Sequence, residues 1–118
     1  MSSIVAELAD WTKANAVALT SRGVQVTEKF PEPNSAYPWK AGIGLVYKEI
    51  IVSFTVWERS IFQTELIIMN ASTRKTIVVD DKTPSDVAHM RADLDSMVQR
   101  LLSDFYHEAS PDPKLDIS

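Results

Sequence analysis

Period-two alternation is strongest over residues 50–70, IIVSFTVWERSIFQTELIIMN, and the rest of the chain is patterned around that stretch. In its first half Ile50, Val52, Phe54 and Val56 fall on one side of a strand, because successive side chains point to opposite faces. Ser53, Thr55 and Trp57 fall on the other, with Ile51 at its start. In the second half Phe62, Thr64, Leu66 and Ile68 share a side, and Gln63, Glu65, Ile67 and Met69 take the opposite one. This period, rich in β-branched and aromatic residues, predicts two half-buried antiparallel strands linked by the polar Glu58, Arg59 and Ser60. Each large apolar side chain on the inner side contributes roughly 1.5–3 kcal/mol on burial, before conformational entropy is subtracted. A slip of one residue would turn Gln63 and Glu65 inward, so the register is set by the pattern itself.

Helical spacing appears at both ends of the chain. Ile4, Leu8, Trp11 and Ala18 form a stripe flanked by Val5, Ala14 and Leu19; Ser2 or Ser3 can cap it and Gly23 stops it, predicting a helix over 4–22. Alternation over 24–30 predicts an edge strand, with Val24, Val26 and Phe30 on one side. Pro31, Pro33 and Pro38 then forbid regular structure and stiffen a loop that carries Tyr37 and Trp39. Those aromatics serve either recognition or a lid over the core. Residues 41–47 predict a further strand, with Gly42 and Gly44 on its side-chain-poor face. The motif GIG lies within a strand pattern, so it signals close backbone approach or a bend, not a phosphate loop. After a tight turn at Lys48-Glu49 and the central hairpin, 76–79 predicts the last strand, with Asp80-Asp81 leading into a helix. Thr83 reads as its N-cap and Pro84 as its first residue, with Asp86 suited to the same end. Val87, Met90, Leu94, Met97, Leu101 and Phe105 continue it at spacings of three and four. The fold expected is therefore α+β: a five-stranded antiparallel meander with an N-terminal and a C-terminal helix on one face, in the order αβββββα. Residues 1–108 form one domain, and 109–118, with two prolines, an extended or mobile tail.

Composition narrows the function classes. The chain has 118 residues, enough for one core, and 45% hydrophobic content. It has no cysteine, which removes disulfides, thiolate metal sites and a cysteine nucleophile. The N-terminus has no signal-peptide pattern, and no apolar run approaches the ~18 residues of a membrane span. A net charge of −4 argues against nucleic acid as partner and modestly favours a basic protein. His89 and His107 stand too far apart on one helix to share a metal. No serine lies in a nucleophile elbow, Asp80-Asp81 lacks calcium-loop spacing, and no cofactor motif is present. Trp57, on the polar face, either packs on a neighbour or anchors an interface.

The order of these features, with "GVQVTEKF", then "IIVSFTVWERSIFQTELIIMN", a turn, a strand and a C-terminal helix, resembles the TriTu-type immunity proteins over about residues 4–105. The nearest local match is the run "TVWE" followed by an acidic strand; the tip "ERSIF" departs by lacking a glycine after the Trp-Glu pair. The resemblance implies a cytoplasmic antidote to an interbacterial toxin, often an Rhs protein delivered by type VI secretion. That toxin is an ADP-ribosyltransferase that modifies elongation factor Tu. The antidote would bind as a monomer or weak dimer and occlude the toxin's NAD or substrate cleft, without catalysis, cofactor, nucleic acid or membrane. The partner-binding residues expected from the chain's own pattern are Tyr37, Trp39, Trp57, Glu58, Gln63 and Glu65. The competing expectations are a small acidic secretion chaperone, which needs a dimer and an apolar groove, and a small enzyme, which needs a deep pocket of convergent carboxylates.

Overall fold

A computed structural model describes residues 3–108 except Pro33 and Tyr37. Helix α1 (Ile4–Ser21) is followed by strands β1 (Gln25–Lys29), β2 (Lys40–Tyr47), β3 (Ile50–Glu58), β4 (Phe62–Asn70) and β5 (Lys75–Lys82). Helices α2 (Val87–Leu102) and α3 (Phe105–Glu108) close the described chain. The five strands form one antiparallel sheet in sequential order, β1-β2-β3-β4-β5. This is the α+β meander the alternation predicts.

The register follows the hydrophobic code. Val52 pairs Ile68, Phe54 pairs Leu66 and Ile43 pairs Phe54, so the apolar positions of adjacent strands share one face. Ile50, Val52, Phe54, Val56 and Ile68 are buried there against Ile4, Leu8, Trp11 and Leu19 of α1 and Met90, Leu94, Met97 and Leu101 of α2. Both helices thus cover the same side of the sheet. Two polar contacts link them: Trp11 Nε1 donates to Asp95 Oδ1 at 2.8 Å, and Arg91 Nη1 donates to Glu7 Oε2 at 2.8 Å.

Several expected boundaries move. Helix α1 uses Ser3 as its N-cap and buries Thr12 and Leu19 in place of Ala18, which is exposed. Thr12 is accommodated because its hydroxyl donates to the Leu8 carbonyl at 2.7 Å. Strand β5 runs on through Asp80 and Asp81, which pair Leu66 and Glu65. An irregularity at Ile68/Met69 precedes them. The cap of α2 is Asp86, not Thr83: its side chain accepts from the His89 amide. The hydrogen bond from the His89 ring holds the Asp86 carboxyl below its ordinary range. Helix α2 ends at Leu102, and the chain turns at Asp104, with φ of 61°. Consequently Tyr106, not Phe105, enters the core; Phe105 is exposed. His107 lies on α3 and not on the same helix as His89. The expected tail, 109–118, lies outside the described residues.

Candidate functional site

The sheet face away from the helices is uncovered by any described element. It has three regions, set by what each strand presents there.

At one end stand the two tryptophans. Trp57, next to last in β3, lies opposite Lys40 on β2 and Gln63 on β4. The Lys40 ammonium lies 5.7 Å from the Trp57 ring centre. Trp39 immediately precedes β2, and its carbonyl accepts from the Glu58 amide at 2.8 Å, which extends the pairing beyond Lys40. The Arg59 guanidinium lies over the Trp39 ring at 4.7 Å. Each ring is half-buried, with a cation held on its π face.

In the middle the face dips. Gly42 and Gly44 put no side chain between Thr27 and Lys29 of β1 and Ser53, Thr55 and Trp57 of β3. The trough so formed holds about 670 Å³ and is open to solvent along its length. Phe30, Pro31 and Ser35 of the proline-rich loop wall one end. The approach is close: a Cβ on Gly44 would lie 2.6 Å from Thr27 Oγ1, so the threonine would have to turn, and one on Gly42 would lie 3.3 Å from the Phe54 carbonyl oxygen, so the backbone would have to give by a few tenths of an ångström. The glycines therefore serve close approach, as the strand pattern indicates, and in doing so create a concavity. On the other side of Trp57 a second depression of about 530 Å³ is lined by Arg59, Gln63, Glu65 and Asp81.

At the far end the face turns aliphatic. Ile51 pairs Val46 and Met69, and Ile67 pairs Val79. Ile51 is 38% and Val79 63% exposed. Alternation places all five side chains on the polar face, but along each strand their same-face neighbours are Gly44, Ser53 and Thr55, Gln63 and Glu65, or Asp81, so the apolar row exists only across strands.

Of the six expected binding residues, Trp39, Trp57, Gln63 and Glu65 come together on this face, around the second depression. Tyr37 lies outside the described residues. Glu58 does not join them. It follows Trp57, so its side chain points to the helix side, where Oε1 accepts from Ser3 Oγ at 2.7 Å and from the Val5 amide at 2.8 Å. Glu58 is a tether for the N-terminus of α1, and it satisfies a backbone donor the helix leaves open.

Carboxylates also gather on the helix side. A small cavity of about 160 Å³ between β4, β5 and α2 is lined by Asp80, Lys82, Asp93, Arg100 and Tyr106. Lys82 bridges Asp93 at 3.2 Å and Asp80 at 3.6 Å, and the Asp93 hydrogen bond raises the Lys82 ammonium above its ordinary range. The two acids share one cation there, which makes this an ion-pair network under α2. Among the described residues no group of three or more His, Asp or Glu is placed to hold a metal. No described helix is long and apolar enough to cross a membrane. No family model, curated protein or solved structure matches the chain.

Proposed function

We propose that the chain is an immunity protein that lays its uncovered sheet face over a cognate interbacterial toxin and occludes the active site. The toxin class that the TriTu-type resemblance names is an ADP-ribosyltransferase acting on elongation factor Tu, met in the cytoplasm of the producing cell. The observation that supports a docking surface is the pair Trp39 and Trp57. They are half-buried, each is stacked by a cation, and they lie on a side of the sheet that no described element covers. Large aromatics with a polar rim are the residues that carry binding energy at protein interfaces. Gln63, Glu65 and Asp81 supply that rim. Inhibition by occlusion asks no chemistry of the inhibitor, only an area of about 800 Å² per partner with a few buried anchors.

The test is protection. A toxin domain encoded beside this gene, expressed alone in a bacterial host, should arrest growth, and co-expression of this chain should restore it. Trp57→Ala should weaken the complex by about 2 kcal/mol, roughly thirtyfold in Kd, while leaving the fold intact. Failure of the wild-type chain to protect against its encoded neighbour would remove the immunity reading.

One observation favours a second reading. The aliphatic strip of Ile51, Ile67, Met69 and Val79 is the kind of surface on which a secretion chaperone holds an effector segment. That reading requires a stable homodimer, so a monomeric mass by light scattering at micromolar concentration would set it aside.

A further inference from the structure

The trough beside Trp57 has the opposite electrostatic character to the molecule. The chain carries 16 acids against 12 bases, yet among the described residues the trough is lined by Lys29 and Lys40 and by no carboxylate. Neither lysine is in an ion pair among the described residues. Lys29 sits on β1 opposite Gly42, and Lys40 on β2 opposite Trp57, so the two ammonium groups flank the floor from adjacent strands.

We infer that this trough receives an extended, acidic segment of the partner protein. The occupant follows from shape and charge together. The floor is one strand wide between β1 and β3, about 10 Å across at ordinary strand spacing. From Lys40 to Gly44 it runs about 13 Å, the length of four extended residues. That width and length match a single peptide strand lying along β2. Its carboxylates meet Lys29 and Lys40, and an apolar or aromatic side chain reaches the Trp57 ring. Small ligands favour enclosed sites that bury most of their surface, whereas this trough is open along one side. A nucleic-acid strand continuing past Trp57 would meet Glu65 and Asp81 in the adjoining depression, which repel phosphates. The inference rests on the uncovered face being the partner surface, and it adds the chemistry of what docks there. Overall negative charge steers a basic body toward the molecule, but the trough selects an acidic strand within it.

A capped Asp-Phe-Glu-Ile-Asp peptide titrated into the isotope-labelled full chain tests this. The amides of Gly42 and Gly44 and the Trp57 indole N–H should shift together, saturating at millimolar peptide. Raising salt from low to high ionic strength should weaken binding severalfold, by screening. Replacing the three acids with lysine should weaken it about tenfold or more, and so should the double variant Lys29→Gln, Lys40→Gln, checked for native dichroism. The inference is overturned by equal binding of the lysine peptide, by shifts confined to other surfaces, by the absence of shifts, or by oligouridylate or ADP moving the same resonances more strongly. A failed titration in a chain that still protects cells sinks the trough alone. A successful titration in a chain that does not protect sinks the immunity reading alone.

Discussion

Trp57 and Glu58 are neighbours in sequence and belong to opposite sides of the sheet. Trp57 faces the open side, while Glu58 reaches under the sheet edge to hold Ser3 and the Val5 amide. The alternation of β3 carries that distinction: counting from Val56, buried on the helix side, Glu58 falls with Val56 and Trp57 does not. The expectation that both residues bind the partner misses it, because a carboxylate at a strand end reads as solvated until a helix N-terminus is brought beside it. The difference is measurable. Glu58→Ala leaves a hydroxyl and a helical amide without their acceptor, at a cost of about 1–3 kcal/mol, and should lower Tm by several degrees. Partner affinity of the folded variant should stay within about twofold of wild type by calorimetry. Trp57→Ala should do the reverse, losing affinity with little change in Tm. A Glu58 variant that kept its Tm and lost the partner would return Glu58 to the binding face.

The elements that alternation specifies came out of the sequence with their pairing: β2, β3 and β4 differ from expectation by one residue at most. The elements decided by backbone conformation did not. Asp104 adopts φ of 61°, a region that aspartate enters more readily than most non-glycine residues but far less often than glycine, so the residue types mark the end of α2 only weakly. A half-exposed ion pair reaches it from the β2–β3 turn, where Lys48 Nζ bridges the Asp104 carboxylate at 3.0 Å. That break rotates the chain so that Tyr106 enters the core behind Met97 and Phe54. Likewise Asp80 and Asp81 continue β5 because it is an edge strand, where polar residues cost little. The buried tyrosine gives the α2–α3 break a pH signature. Burial raises the Tyr106 phenol above its ordinary value of 10.0, and Arg100 offsets this only in part. The folded state therefore holds the proton more tightly than the unfolded chain. The contribution of Tyr106 is full below pH 10 and is lost as pH rises through the raised folded value. Lys48 and Lys82 are raised also and add loss of the same sign. The urea midpoint of the wild type should accordingly fall more steeply between pH 9 and pH 11 than that of Tyr106→Phe, in which both lysines remain. Parallel curves would mean that the phenol is already hydrated in the native state.

On the scale of the molecule, one face is sealed and one is open, and the three tryptophans report on both. Trp11 is 1% exposed beneath the helices, whereas Trp39 and Trp57 stand on the open face with Arg59 and Lys40 against their rings. Net charge and local charge then make opposite forecasts for a charged quencher. If the overall −4 governed the surface, caesium would reach the indoles more readily than iodide. At an ionic strength where the Debye length is about 10 Å, however, carboxylates elsewhere on the surface are screened, and the cation within 6 Å of each ring is set against only Glu65 and Asp81 in the adjoining depression. With each ion normalised to its quenching of free N-acetyltryptophanamide, iodide should therefore quench the accessible fluorescence more efficiently than caesium, and Trp11 should remain as an unquenched fraction to either ion. Trp57→Phe should reduce the iodide-accessible fraction. Lys40→Gln should bring the two quenchers closer together without changing the buried fraction. A bound partner that covers the open face should suppress both. Caesium outperforming iodide on the wild-type chain after the same normalisation would show the field over the open face to be negative, and the acidic strand would have no electrostatic reason to settle beside Trp57.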